Sequence, residues 1–216
     1  MRPATEALLT EYLKQLKLTA ILRVYAARAR EARNTGSDYE DYLLSLMESE
    51  LEVRADNRLK RRIRDARFPV MKTMEGFNFE EAEGLDKRWV REMAEGTYIK
   101  EKRNIIFVGK TGTGKTHLAT ALGLEACRQG VRTRFVTGAG LANELIEARS
   151  ERAVGRMIQK MSRFGLLILD ELGYVPFSRE GSQLLFQLLA DRYERASVII
   201  TTNLGFADWT QLFGDP

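Results

Sequence analysis

Residues 109–116 read Gly109-Lys110-Thr111-Gly112-Thr113-Gly114-Lys115-Thr116. Two glycines bracket four residues and are followed by Lys and Thr, a spacing that lets the backbone turn its N–H groups inward around an anion. In that arrangement Lys115 reaches the terminal phosphates of a nucleotide and the Thr116 hydroxyl ligates Mg²⁺. The flanks have the required order. Ile105-Ile106-Phe107-Val108 is a short β-rich apolar run, and from His117 to Cys127 apolar residues recur at helical spacing. A loop between strand and helix places the phosphates at a helix N-terminus, whose partial positive charge favours anions. The octapeptide, with His117 directly after it, is therefore the candidate nucleotide-binding segment; the lone His117 also suits packing or hydrogen bonding at the base of that helix.

A phosphate loop that serves hydrolysis needs a carboxylate for the metal at the end of a neighbouring strand, and a group that activates water. Leu166-Leu167-Ile168-Leu169-Asp170-Glu171 supplies both: four aliphatic residues form a strand buried on both faces, ending in Asp170 for the metal and Glu171 for the water. A glutamate beside the metal aspartate favours ATP over GTP chemistry, and no Asn-Lys-x-Asp segment for guanine occurs. A third β-rich run, Val198-Ile199-Ile200-Thr201-Thr202-Asn203, ends in an amide. With every strand's active end on one edge, Asn203 would lie near the terminal phosphate as a third catalytic candidate beside Lys115 and Glu171; the alternative is an Asn that only turns the chain.

These segments carry a resemblance. Gly112 to Ala119, Leu169 to Tyr174, Ala190 to Tyr193, Thr201 to Asn203 and Asp208-Trp209 resemble the IstB-type AAA+ ATPases, helper proteins of transposition in bacterial insertion sequences and relatives of helicase loaders and replication initiators. The N-terminal stretch is similar too, at Tyr12-Leu13, Leu16, Leu18, Tyr39 to Leu44 and Arg61 to Pro69. The resemblance implies an α/β fold: a P-loop ATPase core with a parallel sheet between helices, after a small all-helical N-terminal domain. It also implies ATP and Mg²⁺ as cofactors, homo-oligomers built through the AAA+ modules, and duplex DNA and a transposase as partners. Family members continue into a small helical lid that carries an arginine aimed at the neighbour's ATP and another that senses nucleotide. This chain ends at Gly214-Asp215-Pro216, so the lid is expected to be absent and hydrolysis by this stretch alone to be slow.

The chain has 216 residues, formal charge +4 and one cysteine. No run approaches the roughly 20 apolar residues that span a bilayer. The opening Met1-Arg2-Pro3-Ala4-Thr5-Glu6 lacks a signal peptide's apolar region, and a cytoplasmic protein without membrane partners is expected. Cys127, on the helix after the loop, is expected to be a small buried hydrophobe. Three zones emerge: a helical domain over 1–67, a connection over 68–102, and the ATPase core over 103–216. The first contains helices broken at Asn34-Thr35-Gly36-Ser37; Ser37 or Asp38 then caps a second tract that ends at Phe68-Pro69. The connection carries Phe77-Asn78-Phe79 and a short amphipathic helix near Trp89, and its aromatics serve either adenine or the core. In the core, strands near 104–108, 132–137, 165–170 and 197–202 alternate with helices.

The positive charge is concentrated. Arg54, Arg58, Arg61 and Arg62 fall along one helical side, either a contact for phosphate backbones or a solvated face. Steps of three and four residues from Arg149 through Arg152, Arg156 and Lys160 to Arg163 form a second stripe, fit to line a groove with Tyr174. Arg58, Arg61, Arg62, Arg149, Arg156, Lys160 and Tyr174 are the DNA-binding candidates. Two functions fit: an ATP-dependent regulator that assembles on target duplex DNA and delivers it to a transposase, or a helicase loader, an ATP-switched adaptor that prefers single strands.

Overall fold

The computed structural model describes residues 3–82, 84–174 and 177–210. It divides into two compact units, residues up to Lys60 and residues from Arg61 onward. The division falls inside a continuous helix rather than at residue 67.

The first unit contains α1 (Pro3–Gln15), α2 (Thr19–Thr35) and most of α3 (Tyr39–Ala66). Its core is Leu13, Ile21, Tyr25 and Leu46. Gly36 ends α2 in the left-handed conformation at φ 69°, with its N–H on the Ala32 carbonyl, as a glycine at this position allows. Asp38 then accepts from the Asp41 N–H at 2.8 Å and starts α3.

The second unit is built on a four-stranded parallel sheet: β1 (Ile105–Val108), β2 (Thr133–Thr137), β3 (Leu166–Leu172) and β4 (Ser197–Thr202), in spatial order β1-β4-β3-β2. The carboxylate strand β3 is thus not the neighbour of β1 that the sequence suggested. β4 lies between them, paired to both.

Both faces of the sheet are covered, which is why β3 and β4 read as unbroken apolar runs. One face packs Phe107, Ile168 and Ile199 against Leu118 and Leu122 of α6 (Lys115–Arg128), and the other packs Leu167, Leu169 and Ile200 against α7 (Gly138–Ser150) and α9 (Arg179–Arg192). Gly123 sits mid-helix in α6 despite a propensity cost of about 1 kcal/mol. A Cβ there would meet Ile168 Cδ1 at 2.5 Å and Phe68 Cε1 at 2.9 Å.

The stretch expected to be a connection contributes core. Phe77 from the loop before α4, Val90 and Met93 of α4 (Lys87–Ala94), and Tyr98 and Ile99 of α5 (Thr97–Lys100) are buried in the cluster beneath the sheet. The supposed second basic stripe is interrupted. α7 ends at Ser150, Arg152 takes φ 53°, and α8 (Val154–Ser162) begins anew, so Arg149 and the pair Arg156/Lys160 belong to different helices.

Candidate nucleotide site

All four strands point their C-terminal ends at one edge of the sheet, and four loops meet there. Gly112 and Gly114 adopt φ 86° and 83°, conformations costly for residues with a Cβ. At Gly114 a Cβ would also strike Phe77 at 2.6 Å. α6 begins directly after, at Lys115, which is 9% exposed. Its ammonium donates to the carbonyls of Gly109 and Lys110, each at 2.7 Å, and so lies across the mouth of its own loop.

Thr116 donates to both oxygens of Asp170, at 2.9 and 3.2 Å. Asp170 is only 4% exposed. From the other side the Thr201 hydroxyl donates to Asp170 Oδ1 at 2.5 Å and accepts from the Glu171 N–H at 3.0 Å. Thr201 was legible only as part of a strand. Its proximity to Asp170 follows from the register, which opposes Leu169 to Ile200 and so brings the next residue of each strand together.

β3 holds one residue more than β4 in this stretch, since the register passes from Leu169↔Ile200 to Leu172↔Thr202. The extra residue is a β-bulge. Glu171 absorbs it at φ 56°, and Asp170 and Leu172 stay buried while Glu171 is exposed. Gly173 at φ 90° continues the turn, and Tyr174 closes it with its N–H on the Glu171 carbonyl. The Tyr174 hydroxyl then lies 3.4 Å from Thr111 Oγ1, beside the phosphate loop. The Gly109 N–H donates to the Thr202 carbonyl at 3.2 Å, so Asn203, exposed, follows the point where β4 meets the start of that loop.

His117 directs Nε2 to the Thr73 carbonyl at 2.8 Å and stands edge-on to Phe77. Its ring thus ties α6 to the preceding segment. Cys127 is fully buried, and burial pushes its thiol pKa up.

Cavities of about 440 and 430 Å³ flank the loop. Both are within the roughly 300–1,000 Å³ typical of small-ligand sites. One is lined by Leu85, Phe107, Lys110 and Lys115, the other by Asn78, Thr111, Gly112 and His117. Among the described residues no group of three or more His, Cys, Asp or Glu could cage a metal. One carboxylate and one hydroxyl are what Mg²⁺ uses when phosphates complete its shell. The oxygen donors at Thr116 and Asp170 and the glycine-lined loop therefore fit Mg²⁺ and a nucleotide.

The basic candidates are dispersed. Arg58, Arg61, Arg156 and Lys160 are exposed. Arg62 spends its Nε on the Cys127 carbonyl at 2.9 Å, and Arg149 pairs with Glu180 at 3.1 Å. Tyr174 stands at the nucleotide site rather than with them. No helix among the described residues is long and apolar enough to cross a membrane.

Residues 11–216 match the IstB-like ATP binding protein family. The chain is 38% identical over 203 residues to the protein of insertion sequence IS21 from Pseudomonas aeruginosa that is named for ATP binding, covering 94% of this chain and 77% of that one. It is 33% identical to the corresponding IS5376 protein of Geobacillus stearothermophilus, covering 95% and 82%. In fold it is similar to the DnaC helicase loader (TM-score 0.52, 24% identity, 59% of this chain and 78% of that one) and to AMPPCP-bound DnaA from Aquifex aeolicus (0.54, 20%, 69% and 50%). The phosphate loop, the four-stranded parallel sheet and the match along nearly the whole chain agree, and the chain belongs to the IstB-like ATP-binding protein family, with an AAA+ P-loop core that follows a helical N-terminal segment in sequence.

Proposed function

We propose that the protein is a Mg²⁺-dependent ATPase that assembles on duplex DNA as a homo-oligomer and presents that DNA to a transposase. The observation that carries the enzymatic part is the hydroxyl–carboxylate chain Thr116–Asp170–Thr201, which ties the phosphate loop to the two inner strands. When bound, Mg²⁺ would offset the charge of the ATP phosphates as water attacks the terminal one, and Thr116 and Asp170 are the residues that would hold it. Lys115 exchanges its two carbonyl contacts for the terminal phosphates. Thr201 fixes the Asp170 carboxylate. The Glu171 carboxylate, exposed beside them, orients the attacking water and accepts its proton, and Asn203 steadies that water from the end of β4.

The DNA part is supported by the exposed cations Arg58, Arg61, Arg156 and Lys160, and by relatives named for insertion sequences. Phosphate contacts of this kind provide affinity without reading sequence. The site operates inside a cell, where ATP and DNA are available.

The test combines nucleotide and DNA titrations. Lys115→Ala abolishes binding of a fluorescent ATP analogue, whereas Glu171→Gln binds it normally and does not turn over. Wild type with ATP binds random-sequence duplex more tightly than without it and grows in particle mass, and Lys115→Ala shows neither response. Equal nucleotide affinity of wild type and Lys115→Ala would overturn the site. ATP-dependent binding to single strands alone would favour a loader.

A further inference from the structure

At the opposite edge of the sheet from the phosphate loop lies a second cationic concavity. The strands are parallel and the loop follows the C-terminal end of β1, so Arg132, which precedes β2, sits at the far end of the sheet. There the end of α3, the start of β2 and the end of α8 enclose about 410 Å³. Arg64, Arg67, Arg132, Arg134 and Lys160 line it, with Asp65 the acid of the lining.

These charges are poorly neutralised. Arg134 is 8% exposed, and its partner Glu144 stands at 3.8 Å, near the limit of an ion pair. Arg64 meets Asp65 at 3.5 Å. Among the described residues, Arg67, Arg132 and Lys160 form no ion pair. Arg132 instead lies over the Phe164 ring, 5.4 Å from its centroid, a stacking that fixes a guanidinium plane while leaving its N–H edge free. Burial lowers the pKa of Arg134, and the Arg67 charge lowers it further. Like charges held this close are relieved by an anion, and the guanidiniums from the end of α3 and the start of β2, joined by the Lys160 ammonium from α8, match the tetrahedral oxygens of a phosphate.

We propose that this pocket is a seat for a phosphodiester group of a nucleic-acid backbone, distinct from the nucleotide site and able to be filled together with it. The assignment rests on the DNA-binding reading above and locates one of its contacts. It differs from the sequence-based stripes in uniting residues about 100 positions apart, of which Lys160 alone is among the sequence-derived DNA-binding candidates.

The experiment uses the full chain with Arg67→Asn, Arg132→Gln and Lys160→Gln combined. Asn tolerates the φ of 58° at position 67, and the other two side chains are exposed, so the fold is retained. Affinity for a random-sequence duplex is measured against salt. The slope of log affinity against log salt should shrink by roughly 0.9 per lost phosphate contact, with ATP-analogue affinity and Tm unchanged. Arg67→Lys with Arg132→Lys should keep most of the slope. Duplex binding by wild type with an identical slope in the triple variant would overturn the seat while sparing the DNA reading; no duplex binding by wild type would end both. A Tm raised by inorganic phosphate in wild type but not in the variant, without a slope change, would make it a free-phosphate site and overturn the backbone assignment. A lower Tm with the slope intact would mean that these cations only complement helix C-termini.

Discussion

Glu171 occupies the left-handed region at φ 56°, which costs a non-glycine residue about 1–2 kcal/mol. The bulge that imposes this conformation also frees the carboxylate from the sheet edge. Glu171→Gly should therefore raise Tm by about 2–4 °C for a chain of this size while removing the proposed water-activating group; differential scanning fluorimetry beside a phosphate-release assay reads both, and an unchanged or lower Tm would contradict the strain. Thr201→Val keeps the shape and deletes the hydroxyl shared by Asp170 and the Glu171 N–H. Its expected cost is about 1–3 kcal/mol in denaturant unfolding, because two polar groups lose a partner at once. Turnover should fall further than nucleotide affinity, since Lys115 and the loop are untouched.

Among the elements, α2 starts without a cap of its own, since the Leu18 side chain has no acceptor to offer. Glu50, brought in by α3, accepts from the N–H groups of Ala20 at 2.8 Å and Ile21 at 3.2 Å, and from Arg54 Nε at 2.8 Å. Burial alone would raise its pKa, but the Arg54 hydrogen bond and the two backbone bonds outweigh this and hold it below the usual 4.5. A depressed carboxylate stabilises the fold above its unfolded value; that contribution is complete above about pH 4.5 and fades as pH falls through the lower folded value. Glu50→Gln should cost about 1–2 kcal/mol at pH 7 and less towards pH 3, as followed by circular dichroism. α8 has the converse arrangement at its other end. Arg192, 2% exposed, donates to the carbonyls of Met161, Phe164 and Ser197. Burial pushes its pKa down to about 10, partly offset by Asp191, and it stays charged at neutral pH. Arg192→Met removes a donor from three buried carbonyls at once and should cost about 3 kcal/mol or more; Arg192→Lys should recover only part, because one ammonium cannot span all three.

For the molecule as a whole, the cations expected to grip DNA divide by what they already hold. Arg58 and Arg61 are exposed, whereas Arg62 anchors the end of α3 to the end of α6 through Cys127. Arg58→Ala with Arg61→Ala should weaken duplex binding and reduce the salt slope by about 0.9 for each contact without moving Tm, and adding Arg62→Ala should lower Tm. Sequence alone determined the phosphate loop, the adjacent carboxylates, all four strands to within a residue or two and the break at Gly36, because each depends on local chemistry: glycine torsions, apolar runs, caps and turn residues. In the segment from 68 to 102 the sequence offers the core as one place for Phe77, and it lies there; Tyr98 and Ile99, readable only as part of a connection, were not legible as core, because the burial of scattered apolar residues depends on what packs over them. Nor were the placing of β4 between β1 and β3, the Thr201 hydroxyl on Asp170, the Glu50 cap or the pocket that unites Arg67 with Arg132. Those depend on register and on contacts between residues 30 or more positions apart, and periodicity along a chain carries no information on which strand will lie beside which.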